Sequence, residues 1–324
     1  MKYFLGVDIG NTKTLFALAN EMGEVVHIHY CDGANYYEHG TAATIAILQG
    51  ALNEIVRSAG ISLQDIGFLY YGAAGADTPQ DFEVLRKMFH DVTPSIPFDF
   101  ENDGWIALKS GTIDGVGMVV TCGTGNTNFA KNSQGKQKRI GGLNDLLGDI
   151  LGATNILLHA CSAAMRSADG RDFPTILTRM IPKVLGISAL EELMNFQFTA
   201  GHIKTVVQTF FQAAQMGDGK ALEITWAFVK EVLSIVREFY LDLFREEQQF
   251  KLVLDGSVFK AKYPSLMTMI ELALHQRYDN IEIIVPEWDP VIGALFYAFE
   301  YGGVQLTEAL AKTIINTYLE ESRS

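Results

Sequence analysis

Positive charge is scarce in this chain. Its 324 residues carry 25 Lys and Arg against 38 Asp and Glu, a formal net charge of -13 with a pI near 5.0. Nucleic-acid backbones are held by clustered Lys and Arg, so this balance argues against a general nucleic-acid binder, although a local anion site remains open. Cysteine is rarer still. Cys31, Cys122 and Cys161 are an odd number, far apart, and have no C-x-x-C spacing for zinc or an iron–sulfur cluster, so reduced and mostly buried thiols are expected. No apolar run approaches the roughly 18 residues of a membrane span. The opening MKYFLGVDIG runs straight into a strand with no apolar leader, so a cytoplasmic protein without membrane partners is expected. Several catalytic signatures are also missing. Lys13-Thr14 lacks the preceding glycines of a P-loop, and no G-x-S-x-G elbow, HExxH helix or G-x-G-x-x-G turn occurs.

What is present is a repeated hairpin. GVDIGNTKTLFALANEMGEVV at 6–26 and GMVVTCGTGNTNFAKNSQGK at 117–136 share an apolar β-branched run, a Gly-Asn-Thr turn, a second apolar run and a polar glycine turn. Glycine at Gly10 and Gly125 lets backbone N–H groups approach an anion, and Asn11, Thr12, Thr124 and Thr127 add short polar side chains. Asp8 is an acceptor-only group suited to a hydrated magnesium ion. One copy alone is compatible with an ordinary hairpin; two copies with Asp and Thr in place point to a duplicated fold with a phosphate-binding turn on each half.

The chain is long for one core, and with 48% apolar residues it can bury roughly three quarters of its unfolded surface, so two lobes around a cleft are expected. The first hundred residues alternate strand and helix signals. A helix over Thr41–Ser58 presents Ile45, Leu48, Leu52, Ile55 and Val56 on one face and stops at Gly60. A strand over Ile66–Tyr71, a helix opened by Thr78-Pro79 and a strand over Ile96–Phe100 follow, the alternation of an α/β fold. KSGTIDGVG at 109–117 is the candidate lobe boundary. The second half carries a helical insertion over about Leu143–Phe250. Its longest helix, Ala221–Gln248, repeats Leu222, Trp226, Val229, Leu233, Val236, Tyr240 and Phe244, a stripe read as core packing. Strands at Phe250–Leu254 and Ile281–Val285 follow, then a helix with Asp289 as N-cap and Pro290 in its first turn.

Three segments could carry chemistry. FDFENDGWIAL sets Glu101, Asn102 and Asp103 just past a strand, where ligands bind in open α/β sheets; Asp103 is either a helix cap or a group that takes a proton from a substrate hydroxyl. KLVLDGSVFKAKYP turns at Asp255-Gly256-Ser257, where glycine lets a flat ring lie against the backbone. GGLNDLLGDILGA pairs a double glycine with Asp145 and Asp149, one available to cap a helix and the other to face a ligand.

Taken in order, these segments resemble the actin-like ATPase fold shared by sugar kinases, actin and heat-shock chaperones. They resemble more closely the BadF/BadG/BcrA/BcrD ATPase family and its N-acetylglucosamine kinase members. GVDIGNTKT is similar to the first phosphate motif, VVTCGTGNTN to the second and LVLDGSVFK to the adenosine motif. AAGADTP, ENDGWIAL and EWDPVIGALFYA also resemble family segments, and the likeness extends over nearly the whole chain. It implies a two-lobed, ribonuclease H-like α/β fold of duplicated mixed β-sheets flanked by helices around a central cleft. Residues 1–111 would form the N-terminal lobe and 112–324 the C-terminal lobe.

The resemblance makes Asp103 the catalytic base and Asp8 the magnesium-associated carboxylate. Gly10, Asn11, Thr12 and Lys13 would surround one end of the triphosphate of ATP, with Thr124 and Gly125 approaching from the other lobe. Gly256 and Ser257 would border the adenosine. Asn35 of GANYYEHG and Asp149 would contact the sugar beside Asp103 and Thr124. The chain departs from the kinases twice: Gly148-Asp149 continues as Ile150-Leu151-Gly152 in place of Glu-Gly-Ser, and Ala74 stands where Ser is frequent. The expected activity is magnesium- and ATP-dependent phosphorylation of an amino sugar, N-acetylglucosamine or glucosamine, by a cytoplasmic homodimer. The alternatives are a redox-coupled ATPase like the activators of 2-hydroxyacyl-CoA dehydratases, against which the cysteine spacing argues, and a sugar-binding protein without catalysis.

Overall fold

Strand β1 (Tyr3–Ile9) is apolar toward both of its faces, and the first half of the fold is built around it. The computed structural model describes residues 1–143 and 145–323 and divides into two compact units. The first comprises residues 1–116 together with the segment from Pro286 onward, and the second runs from Gly117 to Val285.

In the first unit β1 pairs antiparallel with β2 (Lys13–Asn20), which pairs antiparallel with β3 (Val25–Asp32). The short helix α1 (Tyr36–His39) and the long helix α2 (Thr41–Ala59) lead back to β4 (Ile66–Ala73), parallel to β1. Helix α3 (Pro79–Val92) then returns to β5 (Phe98–Glu101), parallel to β4, and α4 (Asp103–Thr112) closes the run. The sheet order is β3-β2-β1-β4-β5. Leu48, Leu52 and Ile55 of α2 are buried as their spacing predicts, and Gly60 ends the helix in the left-handed region at φ 67.

The second unit repeats this plan. Strand β6 (Gly117–Thr121) pairs antiparallel with β7 (Asn128–Lys131), and β7 with β8 (Gln137–Arg139). The helices α5 (Ala153–Ala168), α6 (Leu177–Leu185), α7 (Ala200–Gln215) and α8 (Gly219–Phe239) occupy the place held by α1 and α2 in the first unit. Strand β9 (Phe250–Asp255) lies parallel to β6; α9 (Ser257–Lys260) and α10 (Pro264–His275) precede β10 (Ile281–Ile284), parallel to β9. The order β10-β9-β6-β7-β8 is that of the first sheet with each strand replaced by its counterpart. The chain then returns to the first unit as α11 (Val291–Tyr301) and α12 (Glu308–Glu321).

This return corrects the expected lobe limits. The boundary falls at residue 116, close to the expected 111, but the segment from Pro286 belongs to the first unit because its helices cover the second face of the β1 sheet. Leu5, Val7 and Ile9 point into a core shared with α2 and α3, whereas Phe4 joins Ile292, Leu295, Phe296 and Phe299 of α11 and Ile314 of α12. The long second-half helix is shorter than its periodicity suggests: α8 ends at Phe239 and a π turn covers Tyr240–Phe244. Of the predicted stripe it buries Val229, Leu233 and Val236, together with Ala221, Thr225, Phe228 and Val232, whereas Trp226 is 41% exposed. Among the described residues no helix is long and apolar enough to cross a membrane.

Candidate active site

The first glycine turn is closed by its own backbone. Gly10 N–H donates to the Lys13 carbonyl at 3.0 Å, which joins β1 to β2 directly after the Ile9–Thr14 pair and leaves Asn11 and Thr12 exposed. Gly33 lies against this turn; a β-carbon there would stand 2.0 Å from the Asn11 carbonyl oxygen, so only glycine permits the approach. Asp8 is half-buried at the end of β1, two residues before Gly10. Lys13 is an ion-pair partner of Asp289 at 3.2 Å, and the Tyr318 hydroxyl donates to the same carboxylate at 2.6 Å. Partial burial works against the Lys13 charge, but Asp289, with a smaller contribution from Asp8, outweighs it and holds the ammonium pKa above its ordinary value. Asp289 is therefore not the cap expected from its place before Pro290. Helix α11 has no side-chain cap, and the Asp289 carboxylate is committed to Lys13 and Tyr318.

Asn35 is buried at 7% exposure and caps α1, accepting from Tyr37 N–H at 3.0 Å through Oδ1 while Nδ2 donates to Asn11 Oδ1 at 2.7 Å. The candidate phosphate residue Asn11 and the candidate sugar residue Asn35 are thus bonded to one another. Ala74 N–H donates to the Ile9 carbonyl at 2.9 Å, which fixes the loop after β4 beside the same turn. Asp103 occupies the first position of α4 and is half-buried. The residue that caps this helix is Asn102, whose Oδ1 accepts from Gly104 N–H at 3.0 Å and whose Nδ2 donates to Asp77 Oδ1 at 3.0 Å. Of the two readings of Asp103 left open by the sequence, the helix-cap reading is removed.

In the second unit three backbone segments meet at the second turn. Gly123 N–H donates to the Gly125 carbonyl at 2.9 Å, while Thr124 and Gly125 are exposed. Cys122 N–H donates to the Asp255 carbonyl at 2.8 Å and its own carbonyl accepts from Val258 N–H at 3.0 Å, which stitches the DGSV turn to the Gly-Thr turn. Gly256 sits on this seam at φ +96, where a β-carbon would be 2.5 Å from the Cys122 carbonyl; Ser257 beside it is exposed. From the third side the start of α5 donates to the turn, Ala153 N–H to the Gly123 carbonyl at 2.8 Å and Thr154 N–H to the Thr124 carbonyl at 3.3 Å. Gly152 makes room: its β-carbon would lie 2.7 Å from the Thr124 carbonyl. The altered GDILGA segment therefore keeps a glycine against the turn and buries Leu151 in the core. Burial also pushes the Cys122 thiol pKa up to about 12, so this cysteine at the turn is inert at neutral pH.

Asp149, 9% exposed, accepts from Gly142 N–H at 2.9 Å and Leu143 N–H at 2.7 Å. Burial, together with the charge of Asp149, raises the Glu231 carboxyl above its ordinary range. The side chain of Asp145 lies outside the described residues. The residues assigned to the first unit, Asp8, Gly10, Asn11, Thr12, Lys13, Asn35 and Asp103, lie at one end of its sheet, where β1, β3 and β5 finish and β2 begins; Thr124, Gly125, Gly256 and Ser257 are brought together in the second. The sequence reading gave Asn102 no capping role and Asp289 a different one, and it assigned no role to Asp77 or Tyr318. Only the Asn102 cap had a local signal, an Asn directly before an apolar helical run.

A sheet of order 3-2-1-4-5 built twice, each copy with a glycine turn between its first two strands, defines the actin-like ATPase class. Within that class the chain belongs to the BadF/BadG/BcrA/BcrD ATPase family, whose sequence profile matches residues 5–298. The chain is 26% identical, over 92% of its length and 98% of the relative's, to the N-acetylmuramic acid/N-acetylglucosamine kinase of Clostridium acetobutylicum. It is 25% identical to the N-acetyl-D-glucosamine kinase of Dictyostelium discoideum over 91% of this chain and 97% of that one. The fold is also that of a Chromobacterium violaceum protein assigned as an N-acetylglucosamine kinase, with a TM-score of 0.70 at 20% identity over 92% and 99% of the two chains.

Proposed function

We propose that this protein transfers the γ-phosphate of ATP to a hydroxyl of an amino sugar, N-acetylglucosamine or glucosamine, with Asp103 as general base. The observation that carries the reaction type is the place of Asp103 at the first position of α4, directly after β5, with the helix cap supplied by its neighbour Asn102. Family membership and the two kinase relatives support ATP as donor and an amino sugar as acceptor. Gly10, Asn11, Thr12 and Lys13 serve the phosphates in one unit, and Thr124 and Gly125 serve them in the other. Gly256 and Ser257 border the adenosine, and Asn35 and Asp149 the sugar. Because both Asp149 oxygens already accept backbone N–H groups, Asp149 shapes the Gly141–Leu143 loop and offers the sugar its remaining lone pairs.

Phosphoryl transfer through a largely dissociative transition state asks for positioning and charge neutralisation more than covalent chemistry. Asp103 accepts the proton of the attacking hydroxyl, and turn N–H groups bind the phosphate oxygens. The half-buried carboxylate of Asp8, beside the first turn, suits a hydrated magnesium ion held by one protein oxygen, phosphates and water. When bound, such an ion would supply positive charge against the phosphate oxygens. ATP as donor and three free, separated thiols fit the cytoplasm. The homodimer belongs to the same reading and is tested by light scattering.

The deciding experiment measures ADP release with magnesium-ATP across amino sugars, neutral hexoses and muramic acid derivatives. Stimulation by an amino sugar is expected; release that no sugar stimulates overturns the kinase reading.

A further inference from the structure

Asp81 lies at the third position of α3, yet it collects more hydrogen-bond donors than a helix cap requires. Thr78 alone accounts for a capping box, its hydroxyl donating to Asp81 Oδ2 at 2.8 Å and its N–H at 2.7 Å. Asp77 N–H adds a third donor at 3.2 Å. The hydroxyls of Tyr36 and of Tyr37, the latter at 2.5 Å, donate to Oδ1 from a different element, the α1 turn that Asn35 caps. Asp81 is 3% exposed, and these donors account for the lone pairs of an ionised carboxylate.

Followed outward, the bonds reach two residues of the candidate site. Through Tyr37 they reach Asn35, which accepts Tyr37 N–H and donates to Asn11. Through Asp77 they reach Asn102, which caps α4 next to Asp103. Gly75, at φ +88, leaves space for this arrangement, since a β-carbon there would be 3.0 Å from both Asn35 Oδ1 and a Tyr37 ring carbon.

We propose that Asp81 is a positioning residue for the acceptor sugar: it ties α1 to the loop before α3 and so fixes Asn35 relative to Asp103. The inference rests on the sugar-kinase reading. An ionised acceptor is needed because a neutral amide would set its own N–H against hydroxyl and backbone donors. Hydrogen bonds to a charged group have energies that correspond to roughly ten- to hundredfold in an equilibrium constant, which sets the expected effect.

Two variants of the full chain test this, Asp81→Asn and the milder Tyr37→Phe, which keeps an exposed ring and removes one hydroxyl. The expected result is a rise of roughly tenfold or more in KM for the sugar in Asp81→Asn and a smaller rise in Tyr37→Phe. The Kd for magnesium-ATP without sugar stays within about threefold, well inside the loss of one such bond. Hydrogen exchange without substrate is the second arm: faster exchange over 35–39 and 102–106 in Asp81→Asn is expected. Variants with lowered thermal stability but unchanged sugar KM and kcat, or exchange that quickens only over 77–82, overturn the proposal and leave Asp81 a helix cap. The exchange arm decides the coupling even if the wild type responds to no sugar, an outcome that sinks the kinase reading separately.

Discussion

Asp103 and Asp81 are both aspartates in the first turn of a helix, and their surroundings send them to different tasks. At Asp81 burial opposes ionisation, but the hydroxyls of Tyr36, Tyr37 and Thr78 with the Thr78 N–H outweigh it and hold the carboxyl at about 2, against an ordinary 3.8. The folded pKa lies below the unfolded one, so this stabilisation is complete above about pH 4 and is lost as pH falls toward 2. A shift of this size corresponds to on the order of 2 kcal/mol. Thermal midpoints measured from pH 5 to pH 2 should therefore fall more steeply for the wild type than for Asp81→Asn; parallel curves would refute the assignment. At Asp103 the expectation concerns chemistry. Asp103→Asn should retain magnesium-ATP binding while sugar-dependent turnover drops roughly 10²–10⁴-fold, and near-normal turnover removes it as base. The sequence makes part of this legible: Thr78 and Asp81 stand at capping-box spacing, and Asn102 precedes an apolar helical run. The tyrosine donors are invisible there, because they come from a turn 44 and 45 positions earlier in the chain.

At the scale of elements, the helix that carries Asp103 is set by α11. Gly293 places the two backbones in contact, since a β-carbon there would stand 1.9 Å from the Ile106 carbonyl oxygen and 2.8 Å from Ser110 N. Lys109, 2% exposed, bonds to Glu300 at 2.8 Å and lies 5.1 Å from the Tyr297 ring centroid, and Trp288 Nε1 donates to the Ser110 carbonyl at 3.1 Å. Both obstacles to a methyl group at 293 are backbone, which cannot rotate aside. Gly293→Ala should therefore destabilise by about 1–3 kcal/mol, with part of the loss appearing as a lower kcat through displacement of Asp103. Urea unfolding followed by circular dichroism checks it, and a change under about 0.5 kcal/mol, the range of a surface substitution, would show that the crossing is looser than the distances say. The sequence shows α11 as a helix but misplaces Asp289, for a local reason: Asp-Pro before an apolar run is a strong N-terminal signal, and only tertiary structure brings Lys13 and Tyr318 to the carboxylate. The two glycine turns, by contrast, are local hairpins, and the structure has both, between β1 and β2 and between β6 and β7.

For the whole molecule, the two sheets share an order but complete their cores differently, and this has a consequence for folding. Strands with parallel neighbours need cover on both faces. In the second unit the apolar cluster runs from Met118 to Ile281, all supplied by the continuous stretch 117–285. In the first unit one face is covered by α2 and α3, but the other, with Phe4, Leu15, Ala17 and Tyr70, is covered by Ile292, Leu295, Phe296 and Phe299 from beyond residue 285. Residues 117–285 expressed alone should therefore fold cooperatively, with one thermal transition and helical circular dichroism. Residues 1–116 alone should expose an apolar sheet face and bind a hydrophobic dye, and joining them to 286–324 through a short linker should restore cooperative melting. The second unit also holds Thr124, Gly125, Gly256 and Ser257 within its own backbone seam, so the isolated 117–285 fragment should retain measurable adenine-nucleotide binding while showing no phosphoryl transfer, because Asp103 lies outside it. A non-cooperative 117–285 fragment, or a cooperative 1–116 fragment, would contradict the assignment of the C-terminal helices as the missing half of the first core.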